Sequence, residues 1–230
     1  MSQKSNNVVI FIGAPGSGKG SLSRFVIEKF GWEQLSTGNL CRKNIDEQTE
    51  IGKQMDFFIK SGKLVPDSII IEMVNQWLTE QLLSGKNVIL DGYPRTVAQA
   101  EALDKFLDEK FVDTSVRVVK FDVSDDIVIE RLCERYVCQN GDCQAVYSMA
   151  TGSSLRPKKD MICDDCSNPL KRRSDDTKEA IMHRLQVYHQ HENKLLDYYK
   201  NKKQKIYELS ADRPLVEIFE DFKKLIGLEG

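Results

Sequence analysis

The stretch "VVIFIGAPGSGKGS", residues 8–21, decides the fold. Its first five residues, Val8–Ile12, are apolar without a break, which is how a strand buried on both faces of a parallel sheet reads. Gly13, Gly18 and Lys19 follow at the Gly-x4-Gly-Lys spacing of a phosphate-binding loop. From Lys19 to Lys29 the apolar residues Leu22, Phe25 and Val26, with Phe30 beyond, recur at helical spacing. Strand, glycine turn and helix in that order give such a loop its chemistry. Glycines let successive backbone N–H groups converge on an anion, the helix N-terminus adds about half a positive charge, and Lys19 adds a whole one. One position departs from the common pattern. The hydroxyl residue that usually follows the lysine and holds Mg²⁺ is displaced by Gly20 to Ser21, so the metal is expected to be held differently here.

Outward from that stretch, strand-like runs recur at 87–91 (NVILD), 116–123 (VRVVKFDV) and 205–209 (KIYEL), with a shorter one near Gln34 and Leu35. Helical periodicity lies between them. This alternation predicts an α/β fold with a parallel sheet and helices on both faces, and ligands bind beyond the carboxyl ends of such strands. Gly13–Ser21, Ser36–Gly38 and Asp91–Arg95 all lie at those ends. Two segments break the pattern. Residues 37–66 read as short helices, and residues 136–172 carry turn residues, four cysteines and little periodicity.

"DGYPRT", residues 91–96, ends a strand with a carboxylate, a glycine and an arginine. Beside a phosphate loop, Asp91 is placed to hold the water shell of Mg²⁺ and Arg95 to fork onto a phosphate. With 33 basic against 35 acidic residues, the net charge of −2 argues against bulk attraction to nucleic acid or an anionic membrane. The polar start and the lack of any apolar run of spanning length predict a cytoplasmic protein, expected to be a monomer.

Six cysteines are present. Cys41 and Cys133 fall on apolar helix faces and are expected as buried small hydrophobes. The others form Cys138-x4-Cys143, nineteen residues, then Cys163-x2-Cys166, close to a zinc ribbon although the first spacing is wide. A structural Zn²⁺, free thiols and a disulfide are the alternatives, with Asp142 a substitute oxygen ligand for Cys143. His183, His189 and His191 lie on a polar helix and are expected in solvent.

Together these motifs resemble the adenylate kinases of the long-lid form, in family order over nearly the whole length. "GAPGSGKGS" (13–21) resembles that family's phosphate loop, "LSTGNLCR" (35–42) its monophosphate-binding helix, "DGYPRT" its central strand end and "RRSDD" (172–176) its lid exit. The resemblance implies a three-layer P-loop kinase fold with a core of residues 1–36, 67–135 and 173–230, a helical AMP-binding insertion at 37–66 and a small β-rich lid at 136–172. Both insertions are expected to close over the substrates. It implies reversible transfer of phosphate from MgATP to AMP, giving two ADP. Gly16, Ser17, Gly18, Lys19, Gly20, Ser21, Arg131, Arg135 and Arg213, the last in "ADRPL" (211–215), would meet ATP. Thr37, Arg42, Gly92, Arg95, Gln99, Arg173 and Arg184 would meet AMP, with Gln99 reading its adenine. Lys19, Asp91, Arg95, Arg135, Arg173 and Arg184 would serve the transfer, with Asp175 and Asp176 orienting the lid arginines. Residues 131 and 135 are expected to share a helix face.

Three positions depart from the family pattern: Ser21 stands for Thr, Asn39 for an acid, and Cys41 for an aliphatic residue. A UMP/CMP-type kinase is the rival on the same scaffold, but Thr37 and Gln99 are the adenine-type residues. A nucleic-acid-binding zinc protein would need a basic stripe with interleaved aromatics, which is missing.

Overall fold

The computed structural model describes residues 6–60, 65–141, 143–173 and 175–228. Residues 61–64 of the expected AMP insertion, Asp142, Ser174 of "RRSDD" and the first five residues lie outside that description. The chain divides into two compact units.

The first unit holds residues up to Gly13, Gly18–Asp122 and from Gln190 onward. Its sheet has five parallel strands: β1 (Asn7–Ile12), β2 (Glu33–Ser36), β3 (Val88–Asp91), β4 (Ser115–Asp122) and β8 (Ile206–Ser210), in the order β2-β3-β1-β4-β8. The continuous apolar run of β1 is explained by its central place, with a strand on either side and Val8, Val9 and Ile10 sealed from solvent. On one face Val8, Ile10 and Ile12 pack with Val74, Leu78 and Leu82 of helix α4 (Asp67–Leu83), Leu103 and Phe106 of α5 (Val97–Lys110), and Leu195 and Tyr199 of α7 (Lys178–Asn201). On the other, Phe11 meets Phe222 of α8 (Leu215–Ile226) edge to face at 5.5 Å, and Phe25 of α1 (Lys19–Phe30) meets Phe219 in the same way. The result is the three-layer α/β architecture the sequence predicts.

Two helices, α2 (Thr37–Asp46) and α3 (Glu50–Lys60), occupy the stretch between β2 and α4. They pack backbone to backbone: a Cβ on Gly52 would lie 1.9 Å from the carbonyl oxygen of Asn44, so only glycine fits.

The second unit holds Ala14–Ser17 and Val123–His189. Helix α6 (Asp125–Cys133) and the start of α7 enclose a small core of Ala14, Val128, Leu132, Ile181 and Leu185. Strands β5 (Arg135–Cys138), β6 (Val146–Ser148) and β7 (Leu170–Lys171) form an antiparallel sheet in the order β6-β5-β7. That helix ends at Cys133 and Arg135 opens a strand, so Arg131 and Arg135 do not share a helix face as the sequence spacing suggested. The register Arg135↔Ser148 and Val137↔Lys171 claims the backbone of these residues for the sheet. No helix among the described residues is long and apolar enough to cross a membrane.

Candidate active site

The phosphate loop leaves β1 at Gly13 and turns through Gly16 and Gly18, whose φ angles of +87° and +96° disfavour any side chain. Gly16 also has no room, because a Cβ there would meet Leu132 Cγ at 2.7 Å. Lys19 folds back over the loop, donating from Nζ to the Gly13 carbonyl at 2.7 Å. Gly18 stands at the N-cap of α1 in the left-handed region and, being glycine, offers no side-chain oxygen to that helix end. Gly20 lies against Asp91: a Cβ there would sit 3.6 Å from Asp91 Oδ2, within ordinary van der Waals contact. Asp91 Oδ2 accepts from Gln34 Nε2 at 3.1 Å, and Oδ1 has no partner among the described residues.

Beside it, the carbonyl of Gly92 accepts from Thr37 Oγ1 at 2.8 Å and from Arg95 Nε at 2.9 Å. A Cβ on Gly92 would lie 3.0 Å from Thr37 Oγ1 and 3.1 Å from Arg95 Nη2, at a φ of +78°. The positive φ favours glycine, and a Cβ would make Thr37 and Arg95 give way. Arg42 donates from Nη2 to Asn39 Oδ1, so the residue standing where an acid is common aims an arginine. Cys41 and Cys133 are half-buried, more exposed than expected. Burial pushes the Cys41 thiol up, against the opposing pull of the Arg95 and Arg42 guanidinium groups, which keeps it a neutral thiol. Gln99 is buried, and its amide is held at both ends: Oε1 accepts from Arg95 N at 2.8 Å, and Nε2 donates to Asp67 Oδ1 at 2.6 Å. Arg213, expected at ATP, pairs with Asp221 at 2.6 Å and lies 3.9 Å from Glu217, which raises its pKa further.

In the second unit, Asp176 is the organising group. Its side chain is fully buried and takes a forked pair from Arg135, Nε to Oδ2 at 2.8 Å and Nη2 to Oδ1 at 2.5 Å. Arg184 Nη1 reaches the same Oδ1 at 3.3 Å, and also Asp175 Oδ2 at 3.3 Å. Burial lowers the Arg184 pKa, with Asp175 opposing and Arg135 adding to the fall. Two cations thus share one buried carboxylate. Arg131 stands on α6 and Arg173 follows β7. The three histidines are exposed, as expected, with His189 Nε2 3.0 Å from Asp125 Oδ2.

Cys138, Cys143, Cys163 and Cys166 converge, their sulfurs all within 4.8 Å of one another. The pairs Cys138–Cys166 and Cys143–Cys163 stand at 3.3 and 3.6 Å, too far for a disulfide of about 2.05 Å and near the ~3.8 Å of a tetrahedral zinc thiolate. Burial pushes the thiols of Cys138 and Cys143 up, to about 11 and about 12. Cys166 is brought down to about 6 by the backbone and side-chain N–H groups of Asn168. Tyr147 accepts from Asp164 N at 2.7 Å, which turns its hydroxyl hydrogen toward Cys163 Sγ at 3.4 Å. Donors aimed at these sulfurs suit thiolates.

Three residues that shape these groups carry no local signal in the sequence: Gln34, Asp67 and Tyr147. Each acts through a partner remote in the chain, Gln34 on Asp91 and Asp67 on Gln99, and neither spacing nor periodicity reports such a pair.

A family model described as adenylate kinase matches residues 11–204. Curated relatives carrying that name include one from Clostridium tetani, 39% identical over 220 residues, covering 95% of this chain and 98% of the relative. One from Archaeoglobus fulgidus is 38% identical, covering 95% and 97%. One from Thermotoga neapolitana is 41% identical over 195 residues, covering 84% and 86%.

Removing the charge of Asp176 leaves two largely buried cations opposed to each other. Asp176→Asn is therefore expected to destabilise the second unit by about 3 kcal/mol. Trp32 and Trp77 both belong to the first unit, so hydrogen exchange of the 123–189 amides, rather than tryptophan fluorescence, is the measurement. Unchanged protection there would contradict the role of Asp176.

Proposed function

The chain belongs to the adenylate kinase family of phosphotransferases, and from that premise we propose how its own residues divide the reaction ATP + AMP ⇌ 2 ADP. The observation that carries the proposal is the meeting of three strand ends: the glycine loop after β1, Thr37 after β2, and Asp91 with Gly92 and Arg95 after β3. This reading gives the loop from Gly16 to Ser21, with Lys19, the phosphates of ATP. Thr37, Arg42 and Arg95 take the phosphate of AMP, and Gln99 takes its base. Arg131 lies against the ATP adenine, and Arg135, Arg173 and Arg184 serve the transferring phosphate. Arg213, held by Asp221, supports the loop that covers the ATP base. Residues 37–66 act as the AMP-binding segment and 136–172 as the lid.

An oxygen of the AMP phosphate attacks the γ-phosphorus in line, the bond to the β-phosphate oxygen breaks, and ADP leaves. No nucleophilic side chain is required. The transition state spreads negative charge over several oxygens, so fixed cations and N–H groups lower its energy by position alone. Asp91, whose Oδ1 has no partner among the described residues, is the residue that would hold the water shell of Mg²⁺ bound with ATP, and that ion would supply neutralisation of phosphate charge. Arg95 is tied by Nε to the Gly92 carbonyl, so a fixed guanidinium is aimed before substrate arrives. Thr37 and Gln99 favour AMP over UMP or CMP. Six unpaired cysteines accord with a reducing cytoplasm, where we place the enzyme as a monomer.

The four lid cysteines are proposed to hold one structural Zn²⁺. A strand set this short has little core of its own, and four thiolates around one ion would hold its two turns together. Four protein ligands leave no position for a reacting water, so the role is structural.

A coupled assay with AMP, UMP and CMP tests the substrate. AMP is expected to be the preferred acceptor, and Lys19→Ala or Arg95→Ala to lower kcat on the order of 10²-fold with the fold intact. Equal turnover of UMP or CMP, or near-normal activity of either variant, would refute the assignment. Metal analysis of protein purified without chelator should give one Zn²⁺ per chain, and chelation should lower the Tm. Four freely titrating lid thiols with no zinc would rule that site out.

A further inference from the structure

Gln99 is pinned by groups of opposite kind. A backbone N–H can only donate, so the atom 2.8 Å from Arg95 N is the amide oxygen. An ionised carboxylate can only accept, so the atom 2.6 Å from Asp67 Oδ1 is the amide nitrogen. The orientation of the amide follows from its partners. A flip would set N–H against N–H and oxygen against carboxylate, with both clashes buried.

Asp67 is itself fixed. It opens α4, and its second oxygen accepts from Thr96 Oγ1 at 2.9 Å, while the same hydroxyl accepts from Gln99 N at 3.2 Å and caps α5. The carboxylate, the threonine and the glutamine thus form a closed ring across two helices. Once the ring is made, Oε1 keeps one lone pair and Nε2 one hydrogen uncommitted among the described residues.

We infer that Asp67 is a positioning residue for base selection: by locking the Gln99 amide it makes the site accept a 6-aminopurine and reject a 6-oxopurine. This rests on the proposal that Gln99 reads the base of the monophosphate. Adenine offers a donor at its 6-amino group and an acceptor at N1, which match the spare oxygen lone pair and the spare amide hydrogen. Hypoxanthine and guanine offer the reverse, an acceptor at O6 and a donor at N1. An amide able to turn over would bind both classes. A locked one meets the 6-oxo base with two like-to-like contacts, and a site built to hydrogen-bond one pattern rejects the other strongly.

The first test uses the unmodified protein and calorimetric binding of AMP, purine riboside monophosphate and inosine monophosphate. Purine riboside lacks any group at C6 and keeps the N1 acceptor. A locked amide gives the affinity order AMP, then purine riboside, then inosine, with AMP about 10²-fold or more above inosine. Inosine monophosphate binding as well as or better than the purine riboside compound would overturn the inference. The second test is Asp67→Asn, whose amide can donate to Gln99 and so removes one of the two clashes that bar the flip, leaving only that with Arg95 N. The AMP-to-inosine ratio of kcat/KM should fall at least about tenfold, while KM for ATP and the Tm stay put, which a purely structural role would not produce. An unchanged ratio would overturn the inference. Gln99→Ala separates the two levels. If it erases the base preference while Asp67→Asn does not, the lock is wrong and the glutamine reading stands; if it leaves AMP binding unchanged, the glutamine reading itself fails.

Discussion

The parallel register of β2, β3 and β1 is the constraint on which the site depends. Asp91 is aligned with Phe11 on one side and with Ser36 on the other, so three chains leave the sheet at one level. The glycine loop, the Thr37 helix and the Asp91–Arg95 turn each begin within a residue or two of that line. Burial enforces the alignment. Val8, Val9 and Ile10 on β1 and Val88, Ile89 and Leu90 on β3 are all sealed from water, on both faces. A slip of one residue would turn every side chain of a strand to the opposite face and carry the Asp91 carboxylate toward the apolar layers. The packing that makes the sheet stable is therefore what brings the polar groups into line.

Two devices hold arginines in place, and they differ in kind. Arg95 is aimed by a neutral carbonyl, that of Gly92, and no carboxylate among the described residues is paired with it. Arg135 and Arg184 are aimed by a buried carboxylate, Asp176, which partly cancels the charge but removes the cost of setting two guanidinium groups together. Phosphoryl transfer needs cations fixed before the reaction begins, because reorienting dipoles during the reaction would add to the barrier. Under the roles proposed for these arginines, both devices supply that.

Much of the fold was legible in the sequence because strong local rules governed it. The run Val8–Ile12 reads as a central strand since both its faces are buried, and Gly13 to Lys19 reads as an anion loop since its spacing leaves few other uses. Cys138, Cys143, Cys163 and Cys166 could be grouped by spacing, and their sulfurs do converge despite the wide first interval. Arg135 was misplaced on a helix because periodicity continues past Cys133, whereas the backbone there is claimed by pairing with residues 146–148 and 170–171, which no local window contains. The same limit hid Asp67 and Gln34. A hydrogen bond between residues 32 or 57 positions apart leaves no trace in pattern or propensity, and only the folded sheet brings its ends together. The nearness of Gly20 to Asp91 likewise shows only in the folded chain, where the two stand opposite each other.

That opposition is the most direct point at which the account can be tested. If the register of β1 and β3 exists in function to present an open Asp91 carboxylate beside the phosphate loop, the residue matters through Mg²⁺ and not through packing. Asp91→Asn keeps the shape and can still accept from Gln34 Nε2. The measurement is the Mg²⁺ dependence of the forward rate at saturating ATP and AMP. The account predicts that the concentration for half-maximal rate rises at least about tenfold, with KM for AMP unchanged. An unaltered Mg²⁺ dependence at full rate would contradict it.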